Sequence, residues 1–314
     1  MTSPLTTLVI GLIVLVVTAL VLWPRTGLVG RWRRAQRRTD RVILEDALKH
    51  LHDCEYGNTT CTLGSMAGAL GATSEEAATI ISRLGSMRLL VHKGTALTLT
   101  PEGRSYALRI IRVHRLWERY LSDETTIQES RWHEEAETQE HVMTQEEADA
   151  LARRLGDPVF DPHGDPIPSS AGKIPRPQGK PLTTVAAGEA AGIVHVEDEP
   201  AVIYAQLAAQ GLRPGVQVRV MDAAADRITL EADGNEVVLA PVVAANVTVV
   251  PLRPADVSRV PHETLSSLRP GEEAVVRSLS PTCRGLQRRR LMDLGVVPGT
   301  TIRAELESVS GDPV

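Results

Sequence analysis

Three of the nine histidines in this 314-residue chain fall between Ile111 and His141, in company with glutamates at helical spacing. His114 and Glu118 stand four residues apart. His133, Glu137, Glu140 and His141 follow at i, i+4, i+7 and i+8, so each set shares one face of a helix. Imidazoles and carboxylates on two such stripes can close around a cation, whereas an ordinary charge run is a solvated acidic face. The set contains no thiolate, which suits Mn2+ or Fe2+ better than a structural zinc centre.

These donors need helices to hold them, and the pattern supplies them. Pro101-Glu102-Gly103 opens a long helix that carries His114 and Glu118, the second stripe forms another, and a third is expected from about Thr144 to Leu155. Leu108, Ile110, Ile111, Val113 and Leu116 give the first of them more apolar surface than one face needs, which predicts cover from a partner helix, whether of this chain or of a second subunit.

Upstream, the apolar spacing predicts helices from Asp40 to about Leu51, from Leu63 to Leu70, and from a Thr73 or Ser74 cap through Leu84. Leu89 to Thr100 alternates about a Lys93-Gly94 turn and reads as a hairpin, so the segment is expected to be a winged helix-turn-helix. Its third helix begins with Glu75 and Glu76, which leaves Thr73, Ser74, Thr79, Arg83 and the wing's Lys93 as the groups to touch DNA.

Leu5 to Trp23 is an uncharged apolar run that as a helix reaches roughly 28 Å, about the hydrocarbon thickness of a bilayer. Arg25, Arg31, Arg33, Arg34, Arg37, Arg38 and Arg41 come after it. The positive-inside bias then makes this a single-pass membrane anchor with a basic juxtamembrane segment at residues 25–39 and the bulk of the chain in the cytoplasm. Cys54, Cys61 and Cys283 make no even framework and read as reduced thiols without a special role. The net charge of −5 argues against general adhesion to DNA.

Beyond Gly156 the prolines of DPVFDPHGDPIPSSAGKIPRPQGKP read as a linker, assigned to residues 166–181, between a metal-binding domain at 101–165 and the C-terminal part of the chain. That C-terminal part repeats itself. Leu182 to Glu189 matches Leu265 to Glu272, and Gly211 to Gly215 matches Gly295 to Gly299. Alternating runs such as VQVRVMD and RITLEA predict two small β-barrels, at 182–252 and 264–314, with fewer residues after the PG turn in the second copy.

LTPEGRSYALRIIRVHRLWERYL, HEEAETQEHVMT and DPHGDPIP, in that order, resemble the iron- and manganese-dependent repressor family of the DtxR/MntR type over roughly residues 40–252. RRRLMDLGVVPGT and ESVSGDPV in the second repeat resemble the FeoA domain of ferrous-iron uptake, whose SH3-like barrel the repressors' third domain shares. The resemblance implies an α+β multidomain chain: transmembrane helix, winged helix-turn-helix at 40–100, helical metal-binding and dimerisation domain, and two SH3-like barrels, the second incomplete. By position it makes His114, Glu118 and His133 the ancillary metal site, and Glu137, Glu140 and His141 ligands of the primary site. It makes Asp46 the ligand from the first helix. Glu137 stands where iron sensors carry cysteine and manganese sensors glutamate, Lys49 where manganese sensors place a further glutamate, and Glu199 near the place of ligands that iron sensors draw from the barrel.

The implied function is a membrane-anchored, dimeric regulator that binds a palindromic DNA operator when loaded with Mn2+ or Fe2+. The alternative is an accessory of a ferrous-iron transporter, acting through its FeoA-like domain with the winged helix as scaffold. No nucleophile, phosphate loop or pocket signature accompanies the cluster, so an enzyme is not expected.

Overall fold

The computed structural model describes residues 40–176, 178–232, 234–253, 265, 268–280, 283 and 285–305. The expected anchor and juxtamembrane segment lie outside them. Among the described residues no helix is long and apolar enough to cross a membrane. The chain divides into two compact units, one ending at Ile111 and the other starting at Arg112.

The first unit is three helices and a hairpin. Helix α1 (Asp40–Tyr56) runs beyond the expected Leu51, since Leu51, His52 and Cys54 still face the interior. Helix α2 (Leu63–Leu70) starts from a capping box in which Thr62 and Ser65 satisfy each other's backbone amides, and it ends on left-handed Gly71. Helix α3 (Ser74–Ser86) has the same start, with Thr73 as cap and Glu76 as its partner. Strands β1 (Leu90–Lys93) and β2 (Ala96–Leu99) pair antiparallel across a turn at Gly94. Leu48, Leu51, Met66, Ala77, Leu84, Leu97 and their neighbours form one core beneath all five elements.

Glu55 of α1 fastens this unit to the start of α4 (Pro101–Glu124): one carboxylate oxygen accepts from the Leu99 amide at 2.9 Å and the other from Arg104 at 2.6 Å. The wing then meets α4 at Gly103, where a Cβ would lie 1.9 Å from the Leu89 carbonyl oxygen.

In the second unit the remainder of α4 packs on α6 (Gln145–Arg154) through Val113, Leu116, Ala148, Leu151 and Ala152, with Ile167 against them. A 3-10 turn (Glu129–Arg131) leads into the short α5 (Trp132–Glu140). Six strands come next in one antiparallel sheet of order β3-β8-β4-β5-β6-β7: β3 (Lys180–Pro181), β4 (Ala190–Val196), β5 (Gln217–Ala223), β6 (Ile228–Ala232), β7 (Asn235–Leu239) and β8 (Val247–Pro251). Helices α7 (Ala201–Ala209) and α8 (Pro241–Ala244) lie between strands in sequence. The core of nineteen buried residues, Leu182, Ile193, Val220, Leu230 and Val249 among them, is entirely aliphatic.

The second repeat contributes β9 (Glu273–Val275), α9 (Gly285–Asp293) and β10 (Thr301–Arg303). Its backbone reproduces the first copy bond for bond. The Gly188 amide donates to Val220 O at 2.7 Å and Gly271 to Ala304 O at 2.6 Å; Gly215 donates to Ile193 O at 2.8 Å and Gly299 to Val276 O at 2.7 Å.

The apolar residues of α4 are covered as expected, and within the single chain: Leu108, Ile110, Ile111, Val113 and Leu116 are all at most 7% exposed. One expectation needs correction. The segment assigned as linker begins packed, not free. Pro166, Ile167 and Pro168 are buried, the Pro166 and Pro168 carbonyls accept from Arg115 and Arg112, and Pro181 sits in edge strand β3, where a missing amide costs no ladder bond. Prolines prevented a helix here without preventing a packed strap.

Gly103→Ala pushes the wing off α4. We expect a loss of about 1–3 kcal/mol or more, seen as a lower denaturant midpoint with the slope unchanged; an unaltered midpoint would mean that Leu89 yields without strain.

Candidate metal centre

Helix spacing accounts for the first two donors. One turn apart on α4, His114 (7% exposed) and Glu118 (1%) face the interior together. Around Glu118 Oε1 stand three imidazole nitrogens: His114 Nε2 at 3.2 Å, His133 Nδ1 at 3.6 Å and His163 Nε2 at 3.8 Å. Yet Glu118 Oε1 makes no hydrogen bond, and neither does either ring nitrogen of His163, although all three atoms are buried. Buried polar atoms without partners are rare. Here Glu118 Oε1 and His163 Nε2 face one another, and donor atoms of His114, Glu118 and His133 lie within 4.8 Å of one another, as do those of Glu118, His163 and Asp198. Imidazole nitrogen and carboxylate oxygen converging from several sides fit a divalent cation of the Mn2+ or Fe2+ kind.

Carboxylates set the direction of each ring. Glu140, 4% exposed at the end of α5, places Oε2 2.5 Å from His114 Nδ1, so the other nitrogen is turned toward Glu118. Its Oε1 is 3.5 Å from His141 Nε2, so one buried carboxylate faces both histidines. His133 meets Asp198 Oδ2 at 3.1 Å, Glu199 Oε1 at 3.3 Å and Glu137 Oε1 at 3.6 Å. Burial alone would raise the Glu118 pKa, but His114, His133 and His163 hold it well below the usual carboxylate range. Burial alone would lower His133, and the neighbouring carboxylates of Asp198, Glu118, Glu137 and Glu199 raise it far above an ordinary imidazole. Without a cation the cluster therefore holds protons in its place.

His163 is held by a closed turn. The Asp161 carboxylate accepts from the His163 amide at 2.8 Å and the Asp165 amide at 2.9 Å, while Asp161 N donates to Asp165 O at 2.9 Å. Sheet strand β4 receives the turn directly, since Val196 N donates to His163 O at 2.9 Å. Gly164 makes that fit possible: its φ is +95°, and a Cβ there would lie 2.0 Å from Val194 O. Tyr204 of α7 stacks edge-on against the His163 ring, and its hydroxyl donates to Glu129, which also accepts from Arg213 at 2.7 Å. The turn before α5 is thus tied to the sheet that carries Asp198.

Of the residues singled out in the sequence, His114, Glu118 and His133 stand together, and Glu199 reaches His133. Glu137 is about half exposed and faces His133. His141 caps α5 instead of continuing it, at φ −90°, ψ −9°. Asp46 is half-buried on α1. Within the first unit, Thr73 is occupied as the α3 cap, Thr79 Oγ1 donates to Glu75 O at 3.0 Å and Arg83 pairs with Asp40 at 2.9 Å; Ser74 and Lys93 are exposed. His163 and Asp198 were missed. DPHGDPIP held the first in plain view, and its signal is a histidine set between a proline and a glycine, where the backbone is stiff enough to aim a ring.

Because the cation must displace protons, Mn2+ binding should tighten with rising pH, about tenfold per pH unit for each proton released. The sign follows from His133: its raised pKa keeps it protonated across the neutral range, so each step toward higher pH lowers the proton competition. Titrations between pH 6.5 and 7.5 test this, and a flat profile would count against His133 as a donor. Gly164→Ala should weaken Mn2+ binding by about 10–100-fold by moving His163 while leaving the helical circular dichroism intact; unchanged affinity would remove the turn from the site.

Residues 100–169 match the family described as iron dependent repressor, metal binding and dimerisation domain, and residues 180–251 and 263–314 match the FeoA domain. The iron-dependent repressor IdeR of Mycobacterium tuberculosis is 29% identical over 208 residues, which cover 62% of this chain and 90% of that protein. A probable metal transport system membrane protein of Chlamydia trachomatis is 40% identical over 76 residues, which cover 24% of this chain and only 17% of that protein. The solved manganese-dependent transcriptional repressor complex with manganese superposes at a TM-score of 0.62 and 29% identity, over 67% of this chain and 100% of the other. With the matched segments in the same order as the elements that build the His114/Glu118/His133 cluster, the chain belongs to the DtxR/IdeR-type metal-dependent repressor family and carries FeoA domains.

Proposed function

We propose that this chain is a metal-dependent transcriptional repressor that takes Mn2+ or Fe2+ and, loaded, binds a palindromic operator as a homodimer. The observation that carries the reading is the convergence of His114, Glu118, His133 and His163 on one buried point in a chain of which 67% matches the full length of a manganese-dependent repressor. When bound, the cation supplies the positive charge that the carboxylates around it lack. The chain's residues do the rest: His114 and Glu118 offer donors from α4, His133 from α5, and Glu140 holds the His114 ring in register.

By the resemblance, Glu137, Glu140 and His141 form the primary set, with Asp46 as its ligand from the first helix. Glu137 in place of a thiol supports Mn2+ over Fe2+. Asp46 lines a cleft of about 320 Å3 with Glu76, Thr79 and Arg83 of α3, so a change at its carboxylate is felt by the helix that would read DNA. Such coupling works only if the metal favours the DNA-competent arrangement over the idle one. The run Leu5–Trp23 would anchor the protein as a single span, with the regulator on the cytoplasmic side and its search restricted to DNA near the membrane.

A second reading has its own support. Thr73 and Arg83 are engaged within their own unit and α3 opens with two glutamates, which favours a metal-sensing accessory of ferrous-iron transport with the winged helix as scaffold.

Titration of DNA from upstream of the gene against a scrambled duplex, at fixed salt, with chelator, Mn2+ or anaerobic Fe2+, separates the two. A repressor prefers the upstream DNA by about a thousandfold or more only with metal; metal binding with no DNA preference sends the chain to the transport role. Glu140→Ala and His141→Ala should abolish the metal response. Asp46→Ala should keep metal on the remaining donors and lose only the gain in DNA affinity, and a response equal to wild type would discard that assignment.

A further inference from the structure

The winged-helix unit contains a second cluster of metal-binding groups that the repressor reading leaves unused. His50 and Cys54 stand one turn apart on α1, and Cys61 comes from the extended segment that enters α2. A nitrogen of His50 and the two sulfurs lie within 4.8 Å of one another. His50 Nε2 is 3.6 Å from Cys54 Sγ. A tetrahedral zinc ion, with bonds of about 2.3 Å to sulfur and 2.0 Å to imidazole, separates those two donors by about 3.5 Å. Both sulfurs are buried, at 8% and 2% exposure, and Ser65 Oγ closes the cluster at 3.2 Å from His50 Nε2 and 3.5 Å from Cys61 Sγ.

We propose that His50, Cys54 and Cys61 form a soft metal site that takes Zn2+, with water in the fourth position. Two thiolates and a neutral imidazole cancel the charge of a divalent ion, and a neutral complex is the one that a buried site accommodates best. Binding releases two thiol protons, and the imidazole donates its lone pair.

The site also sits at a junction. Cys61 O accepts from the Leu97 amide of β2 at 3.0 Å, Cys61 directly precedes Thr62, the cap of α2, and Ser65 completes that capping box. Zn2+ bound here ties the end of α1 to the start of the helix-turn-helix and to the wing. It would stiffen the DNA-reading unit independently of the His114/Glu118 centre, through donors of different chemistry.

Cobalt(II) added to the reduced full chain tests this, because only thiolate ligation gives the near-ultraviolet charge-transfer band. We expect the band to appear, to bleach when Zn2+ is added, to disappear in Cys54→Ser and in Cys61→Ser, and to persist in Cys283→Ser. In the wild-type chain, which avoids any question of misfolded variants, Zn2+ should slow alkylation of Cys54 and Cys61 by about tenfold or more and leave Cys283 unchanged. No band, a band that survives both serine variants, or alkylation indifferent to Zn2+ would overturn the site, as would a Cys54–Cys61 disulfide in the protein isolated without oxidant.

Discussion

A single carboxylate oxygen, Glu118 Oε1, governs the second unit. It is buried, it makes no hydrogen bond, and three imidazole nitrogens surround it within 4 Å. An uncompensated charge in such a place costs several kcal/mol. The imidazoles around it hold Glu118 low, and Glu118 and the neighbouring carboxylates hold His133 high. Every element around the site can be read as a way of keeping positive charge or its substitute at that point.

Those elements come from well-separated parts of the chain. Donors at 114–118 on α4 and 133 on α5 are joined by a turn at 161–165 and by the Asp198-Glu199 step after β4. Each brings its own backbone anchor: Trp132 Nε1 donates to Ile127 O at 2.9 Å, Asp161 closes the turn, and Val196 N bonds the turn to the sheet. A ligand that binds all of these at once stabilises their mutual arrangement by its own binding free energy, so metal affinity and the order of this unit are one quantity. The aliphatic sheet core, which needs no metal, gives the site a rigid wall.

What could be read from the sequence was local. A capping residue marked the start of α3, and the structure uses the same device at α2 and α6, where a threonine followed three residues on by serine or glutamate satisfies the same two amides. Helical spacing placed His114 beside Glu118. The internal repeat was visible because its turns need glycine, and both copies adopt them: φ is +88° at Gly188 and +89° at Gly271. Contacts between distant segments left no such trace. His163 lies in a proline-rich stretch that reads as linker, and nothing local reveals that Val194 passes within reach of Gly164. The apolar excess on α4 was real, but periodicity records that a face is covered and not by what.

Donor number explains how such a centre could choose its metal. By the general order of affinities, zinc competes with manganese and iron at nearly any site of nitrogen and oxygen. Zinc, however, is content with four ligands, whereas manganese favours six with a larger share of oxygen. Here the donors form two trios that share Glu118, one with His114 and His133 and the other with His163 and Asp198, while Glu199 touches His133. Two of them, His163 and Asp198, arrive from the turn and the sheet and not from the helices. The helical stripes alone supply the trio His114, Glu118 and His133; the turn shaped by Gly164 and the step after β4 add His163 and Asp198, so that nitrogen and oxygen donors reach Glu118 from both sides.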